Sequence, residues 1–181
     1  MDNLTQDIFL SYARFPAHAG VLKTFNSGRL DLPGYQELKA AVENLSEKSL
    51  VPGISDFVFG VDEKITRKII DAIDDFYLMV DYGQITASRN RFEIEENSFY
   101  LAITVARPIN ADNMDMVEEM LISDQALNYL RQIRKHLKTE DRERRLKEVK
   151  YPNQAIPFVA PTLNSSIGWT MILNRANAGL L

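Results

Sequence analysis

The sequence predicts an α+β fold: an antiparallel sheet of about four or five strands packed by two main helices, with an N-terminal helical segment ahead of it. Three observations predict it. Apolar and polar residues alternate at a period of two through 92–95, again through 99–105, and again through 167–173. Stretches 62–75 and 114–138 instead repeat apolar residues every three or four positions. The order of these patterns is three strands, one long helix, then two extended segments, which lacks the regular alternation of a doubly wound sheet. Residues 1–60 are expected as the N-terminal helical segment and 61–181 as the α+β core domain.

Taken in order, Leu4, Ile8, Phe9 and Tyr12 share one helical face, and Pro16 ends that helix. Gly20, Asn26-Ser27 and Gly28 mark 18–32 as mostly loop. Pro33 suits a first helical turn, and Tyr35, Leu38, Val42 and Leu45 carry the amphipathic spacing beyond it. Val51-Pro52-Gly53 is a turn before the short apolar stretch 57–59, which Gly60 closes. Asp62 caps a helix whose expected buried stripe is Ile65, Ile69, Ile73 and Phe76. Residues 76–80 are apolar on both faces and read as a central strand, broken at Gly83 and resuming at 85–87. Ser88-Arg89-Asn90 reads as a turn, Phe92 and Ile94 as a half-buried strand, and Glu96-Asn97-Ser98 as the next turn. Phe99, Leu101, Ile103 and Val105 then alternate up to Pro108, and links this short favour antiparallel pairing. A long helix opens at 112–114, with an expected stripe of Val117, Met120 and Leu121 continued by Leu127, Leu130, Ile133 and Leu137. Prolines 152, 157 and 161 hold 151–161 extended and edge-like. Ile167, Trp169, Met171 and Leu173 write a last strand.

Composition removes whole classes of chemistry. There is no Cys among the 181 residues, which excludes disulfides, thiolate metal sites, iron–sulfur clusters and thiol nucleophiles. His18 and His136 are the two imidazoles, too few for a multi-His metal site, and neither has an evident catalytic partner in sequence. The eight glycines form no phosphate loop or dinucleotide fingerprint, and there is no Gly-x-Ser-x-Gly elbow. The start, MDNLTQDIF, lacks a basic leader region, so a cytoplasmic location is expected. The longest apolar run, 76–80, falls far short of the ~20 residues of a membrane span, so no membrane partner is expected.

Carboxylates are the remaining groups suited to chemistry. Asp74, Asp75 and Asp81 bracket the most hydrophobic strand, and with Glu95 they pose the question of a cation site; the simpler reading is solvated acids at strand ends. Restriction-type nucleases pair such an Asp with a Glu-x-Lys on the next strand, but Glu93-Ile94-Glu95-Glu96 lacks the Lys. Charge is unevenly spread. Residues 131–150 hold nine bases and four acids, net +5, which leaves −9 on the rest of a chain of net charge −4. The segment contains Arg131, Arg134, Lys135, Lys138, Arg142, Arg144, Arg145, Lys147 and Lys150. Such a helix end is either simply solvated, or pairs with an acidic neighbour, or attracts phosphates. Trp169 reads as a core anchor or as an interface anchor.

The blocks FYLMVDYG (76–83), RFEIEENSFYLAITVA (91–106) and IPFVAPTLNSSIGWTMIL (156–173), separated by the long helix with its basic end, complete the picture. This order resembles that of the small tail-completion, or tail-terminator, proteins of tailed bacteriophages and prophages. The resemblance covers about the last two-thirds of the chain and rests on element order. It implies a strand-rich core that oligomerises into rings at a tail end, a place in the virion, and no chemistry. It also implies that the charged loops 88–98 and 139–150 serve subunit contacts. The expected function is therefore a non-enzymatic, self-associating assembly protein, with further copies and other virion or assembly proteins as partners. No catalytic residue, metal ligand or cofactor is assigned. The expected partner-binding residues are Arg134, Lys135, Lys138, Arg142, Arg144, Arg145, Lys147 and Trp169. The alternative is a small bacterial binding module that uses 131–150 on nucleic acid or an acidic partner.

Overall fold

The strands follow from alternation and from β-branched and aromatic content. The computed structural model describes residues 4–25, 32–45, 48–60, 63–89, 95–109, 114–143, 149–150, 158–159 and 165–177. Four strands make the sheet: β1 (Asp56–Phe59), β2 (Tyr77–Arg89), β3 (Glu95–Pro108) and, last in the chain, a strand spanning Ser166–Asn177. Two two-residue pieces, β4 (Val149–Lys150) and β5 (Phe158–Val159), precede that last strand, β6. The order is β1-β2-β3-β6, and both short pieces pair with the outer edge of β6.

The α+β class holds, but the sheet is mixed. β2, β3 and β6 are antiparallel to one another, while β1 runs parallel to β2. The reason is the connection: a helix lies between β1 and β2, and parallel neighbours require a crossover of that kind. The expected three-strand meander is also corrected. Gly83 does not end the strand; it sits at a register shift between Tyr82 and Gln84, and β2 continues to Arg89. Glu96, Asn97 and Ser98 are not a turn. All three pair with β2, and Asn97 and Ser98 pair with β6 as well, Ser98 lying opposite Thr86 on β2 and Ala176 on β6, so the ladder overrides their turn preference. The expected strand at Phe92 and Ile94, the turn residue Asn90 and the capping Asp62 lie outside the described residues.

Five helices are described: α1 (Leu4–Ala13), α2 (His18–Leu22), α3 (Tyr35–Glu43), α4 (Glu63–Ile70) and α5 (Met116–Glu143). α2 stands where mostly loop is expected. Its Gly20 has no room for a side chain: a Cβ there would lie 2.0 Å from the Ser55 carbonyl oxygen and 2.8 Å from the Asp56 Cα. The missing methyl lets α2 approach β1. The His18 ring Nε2–H donates to the Val42 carbonyl at 2.9 Å, which ties α2 to α3.

Two buried stripes begin out of phase with expectation and then meet it, at Ile73 and Phe76 and at Leu130 and Ile133. On α4 the buried face is Thr66 and Ile70, followed by Ile73 just past the helix end, while Ile65 and Ile69 are exposed. On α5 burial begins at Ile122 and continues through Ala126, Leu130 and Ile133. Val117, Met120 and Leu121 are exposed. At 100° per residue they lie roughly 120–180° from the centre of that buried face. α5 runs straight on through Ser123-Asp124.

The sheet has two unequal faces. Leu78, Val80, Leu101, Ile103, Val105, Ile167, Met171 and Leu173 point toward α5 and the N-terminal helices. Ile8, Phe9, Tyr12, Phe15, Val42 and Phe57 join the same cluster, so the first sixty residues supply a strand and part of the common core. The opposite face packs Val58, Tyr77 and Ala106 against Ile70 and Ile73 beside α4. Beyond α4 this face carries Met79, Thr104 and Thr170 in one row and Asp81, Ala102 and Ile172 in the next. The Thr104 and Thr170 hydroxyls are 2.7 Å apart, and Ile172 and Tyr100 are exposed.

Candidate interaction surface

α5 brings together much of what the sequence marks for partner binding. Asp115 starts it: one carboxylate oxygen, Oδ1, accepts from the backbone N–H of Val117 and of Glu118, each at 2.8 Å. Trp169 of β6 fixes it in place. The indole Nε1–H reaches the Ser123 carbonyl at 3.0 Å and the Ser123 hydroxyl at 3.1 Å, and the ring packs against the core. Trp169 therefore anchors the helix to the sheet within one chain. Tyr129 adds a second clamp. Its ring stands edge-on to Phe76, its hydroxyl accepts from Gln125 Nε2 at 2.6 Å, and it fills the space over Gly53.

With its inner face committed, α5 offers its outer face. Arg131, Lys135 and Lys138 are exposed there and Arg134 is half-buried. Arg142 lies on the last turn of the helix, and Arg144, Arg145 and Lys147 lie outside the described residues. Two features of the same helix were missed in sequence. Residues 115–124 hold four acids (Asp115, Glu118, Glu119 and Asp124) and no base, while 131–138 hold four bases and no acid. The first two turns also expose Met116 at 86%, Val117 at 60%, Met120 at 54% and Leu121 at 59%. The charge split was legible in the sequence. The apolar strip was not, because its spacing also fits a core stripe.

The acidic residues considered for a cation do not converge. Asp75 Oδ1 accepts from the Phe76 N–H at 2.8 Å and lies 3.9 Å from Arg107 Nε. Asp81 sits on the sheet face opposite α5, and burial pushes its carboxyl above the ordinary carboxylate range. Glu95 pairs in register with Arg89, eight residues along β2 from Asp81, or about 26 Å at strand spacing. The His136 ring lies tilted against Phe15, with centroids 6.1 Å apart. A further charge pair joins a buried acid to an exposed base: Asp56 accepts from Lys23 Nζ at 2.6 Å and from the Ser55 hydroxyl at 2.7 Å. It pins the end of α2 to the start of β1. No helix among the described residues is long and apolar enough to cross a membrane.

Comparison with protein families, with curated proteins and with solved structures finds no match to this chain.

Proposed function

We propose that this chain is a non-catalytic, self-associating assembly protein of the kind that completes the tails of phages and prophages. The observation that carries the reading is the exposed apolar strip Met116, Val117, Met120 and Leu121 on the outer side of α5. Large apolar side chains clustered on a surface helix lower their free energy by meeting another surface. The ordered polar groups fit a structural role: Trp169, Asp115, Lys23 and Asp56 are all engaged in holding elements together. On this reading the protein assembles in the cytoplasm and ends in the virion, in contact with further copies of itself and with other virion proteins.

Size-exclusion chromatography with light scattering, run over a range of concentrations, tests the self-association. Species larger than one chain support it; a strict monomer at high concentration and low salt removes it. Genes for capsid, portal and tail proteins beside its own gene support the tail assignment, and a setting of unrelated genes removes it. A second reading has one observation in its favour: Arg131, Lys135 and Lys138 are all exposed on α5. A binding module that takes nucleic acid or an acidic partner there would bind DNA or RNA with a steep salt dependence. Absence of binding at low ionic strength would exclude nucleic acid as that partner.

A further inference from the structure

We infer that α5 is the self-association surface and that its occupant is the α5 of a second copy, packed antiparallel about a two-fold axis near Ala126. This rests on the self-association in the reading above and adds the surface and the geometry; a two-fold contact joins copies in pairs, so a ring at a tail end closes through a separate, head-to-tail contact. The exposed residues Val117, Leu121, Asp124, Asn128, Arg131 and Lys135 follow one another four and three apart, the seam spacing of paired helices. Inverting a second helix about Ala126 returns this seam to itself: Val117 falls opposite Lys135, Leu121 opposite Arg131, and Asp124 opposite Asn128. That is the condition for an isologous contact, in which one patch serves both partners.

Charge selects the inverted copy. In that arrangement the acidic turns that carry the exposed Glu118 and Asp124 face the basic turns that carry the exposed Lys135 and Arg131, and each match occurs twice. A helix that used these charges for itself would intersperse them at three- and four-residue spacing. Here Glu118 and Lys135 are 17 residues apart, about 25 Å along the axis, and cannot meet within one chain. Among the described residues none of Glu118, Glu119, Arg131 and Lys135 makes an ion pair. The helix dipole accounts for the acids of the first turn. It does not account for the bases at 131–138, because α5 continues to Glu143 and the dipole acts within the last turn. The apolar turns 116–121 fall opposite 131–136, where the aliphatic stems of Arg131, Gln132 and Lys135 can cover them. Parallel pairing would instead set acid on acid and base on base.

The test is a charge swap. Glu118→Lys and Lys135→Glu are each expected to weaken self-association roughly tenfold, since two weak pairs become two repulsions. The double variant Glu118→Lys/Lys135→Glu restores it to within about threefold of the parent, because the swapped charges meet only across the interface. Thermal melts confirm that all three variants are folded. In a second measurement, Asn128→Cys in this cysteine-free chain links to its copy through a short bis-maleimide, while Glu43→Cys on α3 does not. Failure of the double variant to recover, or equal linking at both positions, with self-association intact, overturns the α5 interface and leaves the assembly reading standing. A parent chain that is monomeric at every concentration overturns both.

Discussion

Gly20→Ala is the sharpest probe of the packing. Glycine inside a helix costs about 1 kcal/mol against alanine, so an unobstructed replacement would stabilise α2. At this position the new Cβ would lie 2.0 Å from the Ser55 carbonyl oxygen and 2.8 Å from the Asp56 Cα, and both obstacles are backbone. No rotamer change relieves them, so α2 or β1 must move. Overpacking of this kind costs about 3 kcal/mol at the upper end of its range, which leaves a net loss of about 2 kcal/mol after the propensity gain. For a chain of this size that lowers Tm by about 4–8 °C. Separating α2 from β1 also stretches the Lys23–Asp56 pair, now 2.6 Å long. Urea unfolding followed by tryptophan fluorescence reads the change, with Trp169 as the reporter. An unchanged or raised stability would refute the close approach of α2 and β1.

The other predictions concern α5 and the open sheet face. Trp169→Phe removes both bonds to Ser123 and is expected to cost about 1–2 kcal/mol while leaving any self-association intact; dissociation at unchanged Tm would make the indole an interface residue instead. Asp115→Ala removes the acceptor of two backbone amides and is expected to cost about 1 kcal/mol, with amide exchange rising in the first turn of α5; unchanged exchange there would count against the cap. Asp81→Asn raises Tm at pH 7. The half-buried carboxyl holds its proton above the ordinary range, the unfolded chain releases that proton first as pH rises, and the ionised group therefore costs stability at neutral pH. The gain shrinks to nothing by about pH 3, below the unfolded value of about 3.9; an equal gain at both pH values would refute burial as the cause.

Periodicity made α1, α3, the extent of α5 and the alternation of β6 legible, because a buried face must repeat with its element. It did not give the phase of α4 or of the first turns of α5. Each carries two apolar stripes, and Thr66 in place of Ile65, or Ile122 in place of Leu121, is decided by what the neighbouring sheet covers. The direction of β1 was equally hidden: four residues, Asp56–Phe59, read the same for either direction, and the α4 crossover settles it. Glu96, Asn97 and Ser98 misled because a turn preference of a few tenths of a kcal/mol yields to ladder pairing with β2, joined at Asn97 and Ser98 by pairing with β6. Within the interaction surface, the bases of α5 were legible as a charge run. The acids that answer them were equally legible, but acids in a first helical turn also serve the helix dipole and so do not mark a partner surface, and the apolar strip fits a core stripe as well.

The crossover also sets an order of assembly. β2 and β3 are joined across five residues, whereas β1 meets β2 only after the chain has travelled through α4. Short closures form early and cost little entropy, and longer ones follow. β1 thus arrives after the β2–β3 hairpin, and it is four residues long at the rim of the sheet, with α2 resting on it. Such a unit opens by itself at a lower free energy than the strands inside it. Amide protons of β1 and α2 should therefore exchange together, ahead of those in β2, β3 and β6, as one cooperative flap on an otherwise closed molecule.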